Sequence, residues 1–95
     1  PAVEQMKAKL AAHLSAHRPP ERLQGPLRAH FHWIWPGEIE AWKPTKPDTG
    51  NIQKAILDEM TKLGFWKDDA QICDERCLKS YGPIPGIFVQ IEVLT

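Results

Sequence analysis

The feature that most restricts the fold is an alternation of side chains over residues 27–35, which only Ile34 interrupts. Apolar side chains recur at every second position from Leu27 to Trp35, and polar side chains such as Arg28 and His30 lie between them. Successive side chains of a β-strand point to opposite sides of its sheet. The pattern therefore predicts a strand with one buried and one exposed side.

Two other segments show the three- and four-residue spacing of amphipathic helices, residues 3–17 and residues 51–63. Their apolar positions are Val3, Met6, Leu10 and Leu14 in the first segment and Ile52, Ala55, Ile56, Met60 and Leu63 in the second. We expect Thr49 or Asn51 to cap the second helix and Gly64 to end it.

Two strands are predicted in the last third of the chain, over residues 70–81 and 87–94, with a proline-containing turn at residues 82–86. A short connection of this kind favours an antiparallel hairpin. The order helix, strand, helix, strand, strand indicates an α+β fold with helices on one face of a small sheet. With 95 residues, the chain is expected to form a single domain over residues 1–95.

The overall composition leaves the class of partner open. The 12 basic and 12 acidic side chains give a net charge of zero, so only an uneven distribution of charge would favour nucleic acid. No apolar run approaches the roughly 20 residues that cross a bilayer, and we expect a cytoplasmic protein with no membrane contact. A chain this small buries little core, which favours a dimer.

The two cysteines, Cys73 and Cys77, are expected to be ordinary reduced side chains. Four residues apart on one strand, they would be separated by roughly 13 Å, which is too far for a disulfide. A zinc site would need about four ligands, and no second Cys/His pair has the spacing of a zinc finger. His13 and His17 share a helix face without a third ligand, which favours a solvated face.

Carboxylates flank the second predicted helix. Asp48 precedes it, and Asp68 and Asp69 follow it, before the next strand. If the chain folds back, these oxygen ligands can converge on a hard cation such as Mg²⁺. Lys54 is expected to point back toward Asp48 and to stabilise charge on a phosphate. The alternative is structural: Asp48 is only a helix cap, and Lys54 and Asp58 form a surface pair.

These segments resemble the RusA family of phage and bacterial Holliday junction resolvases. The family signature runs Asp-x-Asp-Asn-x-x-x-Lys and then, after a helix, Gly-Phe-Trp-x-Asp-Asp-Ala-Gln. The chain contains Asp48, Gly50, Asn51 and Lys54 in the first part, and it matches the second part in full over residues 64–71. A looser resemblance in strand order and glycine spacing covers residues 27–95.

The resemblance implies a small mixed sheet flanked by helices, a homodimer, and an endonuclease that acts in DNA recombination and repair. Such an enzyme would use Mg²⁺ or Mn²⁺ to nick a four-way DNA junction symmetrically. The implied catalytic residues are Asp48, Asp69 and Lys54; the metal ligands are Asp48, Asp69 and Asp68; and the DNA contacts are Lys46, Lys54 and Lys67. We expect the carboxylate oxygens of Asp48 and Asp69 to lie about 4–6 Å apart.

The chain departs from the family pattern in two ways. Gly50 stands where the family has its second aspartate, and Asp68 is a nearer substitute than Asp58, which is about 12 Å further along the helix. Family members also usually begin with a β-strand, and no such strand precedes Pro1 in this sequence. We therefore expect a strand of the sheet to be missing from this chain.

Two other hypotheses remain open. One is a junction-binding relative whose catalysis is impaired by the loss of a metal ligand at Gly50. The other is a protein-interaction domain on the same fold, which exposed Trp42 and Tyr81 would favour.

Overall fold

The computed structural model of the protein describes residues 2–95, without the side chains of residues 2–4, 6 and 7. In chain order, its elements are helix α1 (Ala2–Ser15), strand β1 (Leu27–Pro36), strand β2 (Ala41–Trp42), helix α2 (Thr49–Leu63), a 3-10 turn (Asp69–Gln71), strand β3 (Ile72–Gly82) and strand β4 (Gly86–Val93). Neither helix within this part of the chain is long and apolar enough to cross a membrane.

The four strands form one mixed sheet in the order β2-β3-β1-β4. Strand β1 pairs in parallel with β3 and antiparallel with β4, whereas the short β2 pairs antiparallel with the outer edge of β3. The α+β class and the mixed sheet are therefore confirmed.

The predicted hairpin between the last two strands is wrong, because β1 lies between β3 and β4. Residues 83–85 cross the end of β1 instead of forming a tight turn between neighbours. β1 is the strand with the most completely buried side. Its place inside the sheet lets both of its edges form backbone hydrogen bonds, one with β3 and one with β4. Strand β2 was not predicted, since two residues are too few to show an alternation.

The core lies between one face of the sheet and helix α2. The four β1 residues Leu27, Ala29, Phe31 and Trp33 are buried, as the alternation predicts. Against them pack Ile52, Ile56 and Met60, which are fully buried in α2. Leu10 of α1 joins this core, whereas the predicted contributions of Val3 and Met6 lie outside the described side chains. Each large apolar side chain contributes about 1.5–3 kcal/mol through its burial.

The N-terminus of α2 is capped by Asp48, and not by Thr49 or Asn51 as expected. Asp48 has an extended backbone, with φ −78° and ψ 155°, and its Oδ1 accepts a hydrogen bond from the Asn51 backbone N–H at 2.9 Å. The helix begins two residues earlier than the apolar stripe predicts, because capping depends on backbone geometry rather than on the stripe. Gly64 ends the helix in the left-handed conformation, φ 86°, as predicted.

Candidate active site

Asp48 is the exposed last residue of a proline-rich loop, residues 43–48, which connects β2 to α2. The cap hydrogen bond holds one carboxylate oxygen against the first turn of the helix. The first-turn N–H groups give this end of a helix a partial positive charge, which attracts anionic groups. The cap that the sequence suggested as an alternative is therefore real, and it fixes the direction in which Asp48 presents its carboxylate.

Asp68 and Asp69 lie in the turn that follows the other end of α2. The carboxylate of Asp68 accepts a hydrogen bond from the Ala70 N–H at 2.8 Å and caps the 3-10 turn. Asp69 is exposed, and its side chain has no hydrogen-bond partner among the described residues. Of the two, Asp69 is thus the more available carboxylate.

The aromatic pair of this motif anchors the turn in the core. Trp66 is completely buried, and its Nε1 donates a hydrogen bond to Thr61 Oγ1 at 2.7 Å. Phe65 is almost as buried and contacts Trp66 edge to face. These side chains set where the following aspartates emerge.

Gln71 is a positioning residue that the sequence reasoning did not single out. Its Oε1 accepts hydrogen bonds from the Lys67 and Asp68 N–H groups, at 3.0 and 3.1 Å. Its Nε2 donates to the carbonyls of Leu23 and Gly25, at 3.1 and 3.0 Å. One amide thus ties the Asp68–Asp69 turn to the segment before β1. Gln71 is the last residue of the motif over residues 64–71, but its partners at Leu23 and Gly25 are far away in the sequence and could not be predicted from the motif.

Replacing Gln71 with leucine is expected to destabilise the fold by about 1–3 kcal/mol, because it leaves several backbone groups without partners. A thermal unfolding curve measures the loss. The control is Gln24→Leu, since the Gln24 side chain makes one weak hydrogen bond, at 3.4 Å, to a local carbonyl. Equal melting temperatures for the Gln71 variant and the unmodified protein would contradict this role.

The structure does not bring Asp48 and Asp69 together. Fifteen helical residues separate the ends of α2, a length of about 22 Å at 1.5 Å per residue. After the turn, β3 runs back along the helix, and Lys79 rather than Asp69 reaches the loop that precedes Asp48. The expectation that the two carboxylates converge within one chain is therefore wrong.

Lys54 does not point back toward Asp48 as expected. Its Nζ lies 3.8 Å from Asp58 Oδ2, one turn further along the helix, and 80% of its side chain is exposed. Position 50, one turn in the other direction, is a glycine and offers no carboxylate. An exposed pair of this kind contributes about 0.3–0.5 kcal/mol, so Lys54 can leave Asp58 readily.

The described part of one chain does not by itself hold a metal ion. No group of three or more His, Cys, Asp or Glu side chains in that part is close enough to do so. Asp48 and Asp69 offer oxygen atoms of the type that Mg²⁺ prefers, but at two separate places. One chain therefore supplies two partial sets of ligands.

The remaining predicted residues lie near these two places or on the sheet. Lys46 and Lys67 are exposed, two residues before Asp48 and directly before Asp68. Trp42 is 70% exposed, but Tyr81, the other aromatic side chain of the protein-interaction hypothesis, is only partly exposed. His13 and His17 are exposed, as expected, and Cys73 and Cys77 are free thiols.

The exposed side of the sheet carries a cluster of charged and polar side chains. Arg28 Nε lies 2.7 Å from Asp74 Oδ2 and His30 Nε2 lies 3.1 Å from Asp74 Oδ1, while Glu92 contacts Arg28 from the other side. The hydrogen bond from Arg28, followed by the contact with His30, lowers the pKa of Asp74. This cluster links β1 to both of its neighbours.

Comparison with known proteins gives a family match over residues 1–92, to the endodeoxyribonuclease RusA family. The crossover junction endodeoxyribonuclease RusA of Escherichia coli (strain K12) is 56% identical over 32 residues, 34% of this chain and 27% of that protein. The protein of the same name from Enterobacteria phage 82 matches equally well over 32 residues. The one from Lactococcus phage r1t is 48% identical over 31 residues, 33% of this chain and 24% of that protein. Each match spans about a quarter of the curated relative. Because the family match covers almost the whole sequence, the chain belongs to the RusA family of endodeoxyribonucleases.

Proposed function

We propose that this protein is a divalent-metal-dependent endonuclease that nicks four-way DNA junctions. Family membership and the names of the relatives support the class of reaction. The observation that carries the proposal for this chain is the exposure of Asp48 and Asp69, each placed by its own anchored backbone segment. We place the protein in the cytoplasm, where its DNA substrate would be found.

We propose that the metal site is completed by a second copy of the chain. Asp48 and Asp69 lie at opposite ends of a helix about 22 Å long, whereas ligands of one Mg²⁺ must each lie near 2.1 Å from it. In a symmetric homodimer, Asp48 of one subunit and Asp69 of its partner can share an ion. Symmetry then creates two such sites, which matches the two strands that are nicked in a four-way junction.

The proposed roles follow from this arrangement. Asp48 and Asp69, with Asp68 as a third carboxylate, would hold Mg²⁺ or Mn²⁺. A metal ion held in this way supplies Lewis-acid stabilisation and an activated water. Lys54, once released from Asp58, is the cation available to stabilise charge on the phosphate, and Lys46 and Lys67 would contact the DNA backbone beside the two carboxylate positions.

Replacing Asp48 with asparagine is expected to lower cleavage of a synthetic four-way junction by about 100-fold or more, since it removes a charged ligand. Junction binding should stay equal or become tighter, because a negative charge facing the phosphates is lost. Cleavage is measured with Mg²⁺ and then Mn²⁺, beside a linear duplex of the same sequence.

The matched control is Glu38→Gln, which neutralises an exposed acid ten residues before Asp48. It should cleave at the unmodified rate. A fully active Asp48→Asn variant would exclude the proposed role of this carboxylate. Equal cleavage of junction and linear duplex would exclude specificity for the junction.

A further inference from the structure

Lys79 of β3 reaches the loop that precedes Asp48. Its Nζ donates hydrogen bonds to two backbone carbonyls of this loop, those of Thr45 at 2.5 Å and Pro47 at 2.6 Å. The second acceptor belongs to the residue immediately before Asp48. Lys79 itself is partly buried on a strand paired on both edges, so its ammonium group is held by a rigid support.

The loop has few other means of holding its shape. Pro44 and Pro47 lack backbone N–H groups and cannot donate hydrogen bonds. In the described structure, no backbone–backbone hydrogen bond holds the carbonyls of Thr45 and Pro47. The Lys79 ammonium is the donor that satisfies both carbonyls.

Lys43 connects the start of the same loop to the sheet through its side chain. Its Nζ donates to Thr45 Oγ1 at 2.9 Å and to the Tyr81 hydroxyl at 3.3 Å. It also lies over the rings of Trp35 and Tyr81, about 5 Å from each centroid. Lys43 therefore ties the side chain of Thr45 to the sheet, while Lys79 ties the backbone up to the residue before Asp48.

We propose that Lys79 is a positioning residue for the Asp48 carboxylate. It fixes the two carbonyls of the loop, and the loop in turn sets where α2 begins and where its capping aspartate points. Lys79 acts through the loop and not by touching the metal or the DNA. This inference rests on the proposed function for its effect on cleavage, but its effect on the loop does not depend on that function.

The test replaces Lys79 with methionine, which keeps the length of the side chain and removes the donors. NMR relaxation of ¹⁵N-labelled protein is expected to show order parameters falling from about 0.85 to about 0.6 at Thr45, Lys46, Asp48 and Thr49, with the rest of the chain unchanged. In junction cleavage, kcat should fall by about 10-fold or more while KM is unchanged, as expected for a misplaced catalytic group. Lys79→Arg should restore part of the order and of kcat, because arginine keeps a charged donor.

Lys62→Met is the matched control, since Lys62 is an exposed lysine that pairs with Glu59 near the other end of α2. It should change neither the loop nor kcat. Unchanged order parameters at residues 45–49 in Lys79→Met would overturn the proposal, and so would a loss of order spread over the whole chain. A raised KM with unchanged kcat would identify Lys79 as a DNA contact and would also overturn it. If Asp48→Asn retains full activity, the proposed function fails instead, and the relaxation data still decide the role of Lys79.

Discussion

Mixing the Asp48→Asn and Asp69→Asn variants is expected to restore junction cleavage that neither variant shows alone. If each metal site combines Asp48 of one subunit with Asp69 of its partner, a mixed dimer contains one site with both carboxylates and one site with neither. Random exchange of subunits makes about half of the dimers mixed, so the mixture should regain about a quarter of the unmodified activity. The measurement is the cleavage rate of a four-way junction after the two variants have been unfolded and refolded together.

The control for this mixing experiment is a chain that carries both substitutions. Refolded with Asp48→Asn, it forms mixed dimers in which no site has both carboxylates, and no activity should return. Native mass spectrometry with one of the two chains labelled with ¹⁵N shows whether mixed dimers have formed, because the unlabelled variants hardly differ in mass. If they form and cleavage does not return, the two carboxylates do not share an ion between subunits.

Replacing Gly50 with aspartate is expected to raise both Mg²⁺-dependent cleavage and stability. Gly50 lies in the first turn of α2, its backbone is outside the region that favours glycine, and an added Cβ meets no atom within 4 Å. An acidic side chain in the first turn stabilises the helix by about 0.3–1 kcal/mol through its dipole, and the loss of a helical glycine adds about 0.5–1 kcal/mol. A carboxylate two residues after Asp48 should strengthen metal binding by about 10-fold. Thermal unfolding and the Mg²⁺ concentration that gives half-maximal cleavage measure the two effects.

Gly50→Ala separates these effects, because it removes the glycine without adding a carboxylate. Both variants should unfold at a higher temperature, but only Gly50→Asp should need less Mg²⁺. If the aspartate variant is stabilised and its Mg²⁺ requirement does not change, position 50 contributes no metal ligand, and Asp68 or another oxygen completes the site.

Local patterns in the sequence were sufficient to predict most elements of this fold and the residues of its motif. The alternation over residues 27–35 and the apolar stripe over residues 51–63 each produced the predicted element, with bounds correct to within about two residues. The spacing of apolar residues along a strand or helix depends only on which side of that element is buried, so it can be recognised without a tertiary structure. The same is true of Gly64, whose lack of a Cβ lets it end α2.

Which elements are neighbours could not be predicted from local patterns and depends on the tertiary fold. The pairing of β1 between β3 and β4 depends on contacts between residues far apart in sequence, whereas the short connection between the last two strands, taken alone, favoured a hairpin. The same applies to the candidate site. The spacing of Asp48 and Asp69 in the sequence is compatible with a shared ion. In the structure, however, a rigid helix of 15 residues holds them at its opposite ends. Strand β3 then runs back along that helix, so that Lys79 and not Asp69 reaches the loop before Asp48.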